Sequence, residues 1–117
     1  MQQKRLAVFA YNFPHKKTQD FLTHLFMHGY EVEAVIAADP VKLTIPPSSI
    51  RSHIRHGAII HPRDVSRRIG ANYYVTKHNS EETCDIVRSS GIDLGIIAGA
   101  RILNRSVIDA FKVGVIN

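Results

Sequence analysis

The chain has 117 residues, 44% of them hydrophobic and 21% charged, which is enough apolar side chain for one globular core and argues against disorder. Its formal charge of +5 points to an anionic partner, or is the surplus that many ordinary domains carry. The single cysteine, Cys84, excludes a disulfide framework within the chain, and no apolar run is long enough for a signal peptide or a membrane span, so a cytoplasmic location away from membranes is expected.

Leu6 to Ala10, a compact apolar run behind Lys4 and Arg5, reads as the first and central strand of a buried sheet. Tyr11-Asn-Phe-Pro-His15 follows as the loop at its carboxyl end, with none of the glycines of a dinucleotide-binding turn. Thr18 is the expected cap of a helix reaching His28. The pairs Phe21–Leu25 and Leu22–Phe26 recur at i, i+4 on its core face, and Gly29 stops it. Lys16 and Lys17 either meet a phosphate at that helix start or lie on the surface. Val32 to Ala37 is the second strand, and a strand–helix–strand unit of this kind implies a right-handed crossover and a parallel sheet.

Asp39 to Ile60 is broken by Pro40, Pro46 and Pro47 and made basic by Arg51, His53, Arg55 and His56. It reads either as a loop that recognises an anionic substrate or as a solvated excursion. Pro62 suits a first helical turn, with Val65 and Ile69 on one face and Gly70 as the stop. Tyr73 to Val75 is a short third strand. Asn79, with Glu82 three residues on, makes a capping box for a helix that carries Cys84 as a buried structural thiol, faces Ile86 and Val87 inward and ends at Gly91. Seven histidines invite a metal reading, but nothing in the sequence brings His24 and His28 together with His53, His56 and His61, so no metal site is expected.

Leu94 to Ala98 is a fourth buried strand, followed by Gly99 and Ala100, small enough to let a ligand approach the main chain. Asn104 caps a short helix with Val107, Ile108 and Phe111 on its apolar face. Gly114 allows a turn, Val113 to Ile116 makes a fifth strand beside the fourth, and Asn117 stands at that strand's carboxyl end. The order of elements is that of a three-layer α/β domain. Ligands bind such sheets at the carboxyl edge, which makes the polar Asn117 a candidate for chemistry.

The stretch Asp93 to Ile102 followed by Val113-Gly-Val-Ile-Asn117 resembles the formyltransferases that use 10-formyltetrahydrofolate: methionyl-tRNA, nucleotide-amino-sugar and glycinamide ribonucleotide formyltransferases. The spacing from Ala98 to Leu103 looks like that of the tRNA and sugar members. The resemblance implies a Rossmann-like three-layer sandwich with a mostly parallel sheet. It also implies formyl transfer from 10-formyltetrahydrofolate to a primary amine, the acceptor being methionyl-tRNA or a nucleotide-linked amino sugar. Carried over by position, Asn117 would donate to the oxyanion, and Ala100, Arg101, Ile102 and Leu103 would contact the folate, largely through main-chain groups; Arg101 either meets the ligand or braces the loop. The positive charge would then answer a polyglutamyl folate, a nucleotide or tRNA. The family pattern continues past the asparagine with Asn-x-His-x-Ser/Gly and a later aspartate, neither of which lies within residues 1–117. The expectation is therefore the N-terminal part of a catalytic domain, inactive alone, whose last strand is an exposed edge prone to self-association. The alternative is a non-catalytic folate- or nucleotide-binding α/β module.

Overall fold

In the computed structural model, which describes residues 3–40 and 59–117, the elements follow the order β1 (Leu6–Tyr11), α1 (Lys16–Met27), β2 (Val32–Ala38), α2 (Pro62–Ile69), β3 (Asn72–Val75), α3 (Glu81–Ser89), β4 (Leu94–Ile97), α4 (Arg105–Ile108) and β5 (Gly114–Ile116). The five strands form one sheet in the order β3-β2-β1-β4-β5, and every pairing is parallel. β1 is central, as its apolar run requires, and β5 lies next to β4. Most of the basic loop, including Pro46, Pro47, Arg51, His53, Arg55 and His56, falls outside the described residues.

Alternation along β1 builds the two sides of the core. Ala7 and Phe9 face a cluster with Cys84, Val87, Val107 and Phe111, supplied by α3, α4 and the turn after α4. Val8 and Ala10 face the opposite cluster with Leu22 and Val65, from α1 and α2. Helices cover both faces, giving the α/β Rossmann-like three-layer sandwich. At the amino edge, the Asp93 carboxylate accepts the Arg5 N–H at 2.7 Å while the Asp93 N–H donates to the Arg5 carbonyl at 2.9 Å. That double link fixes β4 to β1 at the amino end of the sheet.

The helix stops lie where the sequence places them. Gly29, Gly70 and Gly91 take φ of +81°, +78° and +62°, and the next residue returns its N–H to a carbonyl five back, as in Tyr30 to Leu25 at 2.9 Å. Two helix starts differ from expectation. α1 is capped by His15, whose ring nitrogen accepts the Thr18 N–H and lies 2.9 Å from the Thr18 hydroxyl; Thr18 is a fully buried helical residue. α3 is capped by Ser80, which accepts the Thr83 N–H at 3.2 Å, and not by Asn79. Glu82 accepts the Thr76 hydroxyl at 3.0 Å instead of closing a capping box. β4 ends at Ile97, one residue early, and β5 starts at Gly114, so Ala98 and Val113 lie just outside their strands.

Gly95 shows how tightly β4 packs. A β-carbon there would lie 2.8 Å from Cζ of Phe111 and 3.2 Å from Cε2 of Phe9, two rings already edge-on at 5.8 Å between centroids. Gly95→Ala is expected to lower stability by about 1–3 kcal/mol, the usual penalty of overpacking, measured by denaturant unfolding. Unchanged stability would show that Phe111 moves aside freely.

Candidate functional site

The loops that follow the parallel strands gather at the carboxyl edge of the sheet, and two clefts open there. The smaller, about 380 Å³, is lined by all five residues singled out in the sequence, Ala100, Arg101, Ile102, Leu103 and Asn117, against an apolar wall of Ile97, Ile108 and Val115. The larger, about 820 Å³, lies over the ends of β1, β2 and β3 and includes Tyr11, Phe13, Asp39, Lys77 and His78. Arg101 borders both, is exposed, and makes no hydrogen bond to any described residue. Its guanidinium therefore does not brace the loop.

The peptide edge of the smaller cleft makes few hydrogen bonds to the rest of the protein. None of the main-chain N–H groups of residues 100–103 donates to a described residue, and among their carbonyls only that of Ile102 accepts. Main-chain groups of a loop normally find protein partners or water. Here a run of donors and acceptors stands open beside aliphatic side chains, while the Leu103 side chain is buried in the core and Ile102 is 91% exposed.

What holds this open edge in shape is Asn79. Its Nδ2 donates to the Ile102 carbonyl at 2.9 Å, and its Oδ1 accepts the Asn104 N–H at 2.8 Å. Asn104 does stand at the α4 N-cap position but makes no side-chain cap; its Oδ1 accepts the Ser106 hydroxyl instead. Gly99 also differs from expectation. A β-carbon there would meet the Tyr11 ring at 2.8 Å, so the space is filled by Tyr11, not kept for a ligand.

His78 anchors the same loop one residue earlier. Its side chain is buried, with Nε2 2.9 Å from the Ala10 carbonyl and 3.0 Å from the Ile36 carbonyl. Two acceptors at one nitrogen require that nitrogen to carry the proton, which defines the tautomer. The ring meets Phe9 edge-on at 5.1 Å. Burial holds the imidazole pKa below its ordinary value, against the opposing pull of the two carbonyls. On the far side of the larger cleft, the Tyr73 hydroxyl donates to Asn12 Oδ1 at 2.6 Å, and Asn12 Nδ2 donates to Asp39 at 2.8 Å. Burial pushes the Tyr73 pKa up to about 12; the nearby Arg63 lowers it and Asp39 raises it.

The remaining sequence candidates have local roles. Lys16 pairs with Asp20 at 2.7 Å, and Lys17 sits 5.5 Å from the Phe21 ring centre. His28 Nδ1 lies 2.8 Å from the His24 carbonyl at the end of α1. Cys84 is buried and reaches the Ser106 carbonyl at 3.6 Å, tying α3 to α4. Among the described residues no three His, Cys, Asp or Glu side chains gather as metal ligands would, and no helix is long and apolar enough to cross a membrane. Sequence reasoning missed His78 altogether and gave Asn79 the wrong task. The only local signal was polar residues in a short connection.

No protein-family model matches the chain, and no curated protein matches it. Among solved structures it is similar to glycinamide ribonucleotide transformylase 1 from Symbiobacterium toebii, with a TM-score of 0.62 and 14% sequence identity over 97% of this chain. The match covers 50% of that protein, so the chain spans about half its length. A likeness at this identity establishes the shared fold.

His78 makes stability depend on pH. Because its folded pKa is depressed, the unfolded chain binds more protons below the ordinary histidine pKa of ~6.5. The contribution is complete above that value and is lost as pH falls from it through the lower folded pKa. His78→Gln should flatten the fall in stability between neutral and mildly acidic pH. His78→Phe should cost about 0.5–1.5 kcal/mol at neutral pH, the usual worth of a hydrogen bond, because the two carbonyls lose the His78 donor but keep their places in the β1–β2 ladder. Thermal unfolding over a pH series reads both; identical slopes in wild type and His78→Gln would remove His78 as the cause.

Proposed function

We propose that the chain carries the donor side of a formyl-transfer site, with 10-formyltetrahydrofolate as donor and a primary amine as acceptor. The observation that carries this reading is the main chain of residues 100–103, which apart from the Ile102 carbonyl makes no hydrogen bond to a described residue, beside an apolar wall, with Asn117 lining the same cleft. A pterin is a flat heterocycle edged with hydrogen-bond donors and acceptors. An exposed peptide edge pairs with such an edge, and Ile97, Leu103, Ile108 and Val115 supply the apolar surface for its face. The cleft volume of about 380 Å³ falls in the range of small-molecule sites. The fold shared with a structure titled as a transformylase supports the same reading.

In this proposal the donor supplies the formyl carbon, and the chain's own residues bind and orient it. Main-chain groups of Ala100, Arg101, Ile102 and Leu103 fix the heterocycle. Asn117, at the carboxyl end of β5, donates its amide N–H to the formyl oxygen as negative charge develops there. Arg101, a cation without a partner among the described residues, lines the same cleft and would meet the donor's anionic tail. Methionyl-tRNA or a nucleotide-linked amino sugar is the proposed acceptor, following the loop spacing that resembles those members.

Two results are expected. Titration with a non-reactive analogue of 10-formyltetrahydrofolate should shift backbone amide signals of residues 98–103 ahead of all others. A spectrum unmoved at millimolar analogue would overturn the proposal. In formyl-transfer assays of the intact protein, Asn117→Ala should lower kcat by about 10²–10³ and change KM for the donor little, as for a contact made mainly in the transition state. A near-normal kcat would take Asn117 out of the mechanism.

A further inference from the structure

We infer that Asn79 is the positioning residue of the donor site, its side-chain amide setting the shape of the Ala100–Leu103 edge from outside that loop. The inference rests on the function proposed above for its meaning and on geometry for its substance. An asparagine side chain has one acceptor and two donor hydrogens in a single plane. Asn79 uses both kinds on one short segment, donating to the Ile102 carbonyl at 2.9 Å and accepting from the Asn104 N–H at 2.8 Å. It thereby takes the part that a neighbouring strand would take, pairing with groups on either side of Leu103.

Three consequences follow for the loop. The Ile102 carbonyl is turned toward Asn79, which helps fix the peptide plane joining Ile102 to Leu103 and so the direction of the Leu103 N–H. The Asn104 N–H is satisfied without a helix cap, so α4 begins where Asn79 holds it. The remaining main-chain groups of residues 100–103 stay unpaired, because no other described residue reaches them. A loop in which four successive N–H groups lack partners would otherwise sample many shapes, and a ligand would bear the entropy of ordering it. Asn79 meets that cost in the folded protein.

The clamp is itself held in place. His78, the residue before it, is bound to the carbonyls of Ala10 and Ile36, and Ser80, the residue after it, caps α3 through the Thr83 N–H. Asn79 is exposed, so its conservation of shape owes nothing to burial of its own side chain. A role in stability alone would be shared with Ser80; a role in positioning belongs to Asn79.

The test compares Asn79→Ala, Asn79→Asp and Ser80→Ala in the full chain, by amide hydrogen exchange and by affinity for the non-reactive 10-formyltetrahydrofolate analogue. Asn79→Ala should speed exchange at the Asn104 amide about tenfold, as expected for loss of one protecting hydrogen bond, and weaken analogue binding by a similar factor. Asn79→Asp keeps the acceptor for Asn104 but turns an anionic oxygen toward the Ile102 carbonyl. It should leave Asn104 protected, shift the Leu103 amide signal and still weaken binding. Ser80→Ala should destabilise α3 without selectively loosening residues 100–104. The inference is overturned if Asn79→Ala leaves Asn104 exchange unchanged, if Ser80→Ala loosens the loop equally, or if the loop loosens while affinity for the analogue stays at the wild-type value. Should the wild type itself not bind the analogue, the proposed function fails, and the exchange comparison alone decides whether Asn79 sets the loop.

Discussion

One buried imidazole ties the centre of the sheet to the loop that shapes the site. In the β1–β2 ladder Ala10 stands opposite Ala37, one residue beyond Ile36, so the Ala10 carbonyl of β1 lies beside that of Ile36. His78 supplies a donor to it and to the Ile36 carbonyl of β2 at once, with distances of 2.9 and 3.0 Å. The ring also packs edge-on against Phe9 in the core. This single contact docks the β3–α3 connection over the middle of the sheet. From there, Asn79 reaches the loop after β4, and that loop meets Asn117 at the smaller cleft. Hydrogen bonds and one packed ring lead from the core to the loop, and the loop and Asn117 then share the lining of the cleft.

The same anchoring explains which parts of the structure were legible in the sequence. Strands announced themselves as short β-branched runs and helix ends as glycines, because burial and positive φ leave few other residue choices. Helix starts were less legible. Thr18 and Asn79 are residues of good capping type, yet capping depends on where the chain enters the helix as much as on residue type. With His78 fixed to the sheet, Asn79 is turned toward the loop, and the cap falls to Ser80. At α1, Thr18 is drawn into the core, and the cap falls to His15 three residues earlier. Both displacements come from tertiary contacts that no local pattern carries.

The site was legible in a similarly uneven way. Ala100 to Leu103 and Asn117 come together in one cleft, as the strand–loop–helix–strand order requires when both strands are parallel neighbours. The residues that hold that cleft open were not legible, since a histidine and an asparagine in a polar connection look like any solvated turn. In the proposed function, recognition through main-chain groups would add a further reason. Peptide N–H and C=O groups are the same whatever side chains they carry, so a loop that binds through them constrains its sequence weakly.

In the proposed function the open peptide edge of residues 100–103, and not the larger cleft beside it, receives the heterocycle of a formyl donor. A crystal structure of the protein grown with a non-reactive analogue of 10-formyltetrahydrofolate tests it most directly. The ring is expected to lie against the main chain of Ala100 to Leu103, hydrogen-bonded to the groups that have no partner among the described residues, with the formyl-bearing nitrogen turned toward Asn117. A ring seated instead over Tyr11 and Phe13 in the larger cleft, with residues 100–103 untouched, would contradict it.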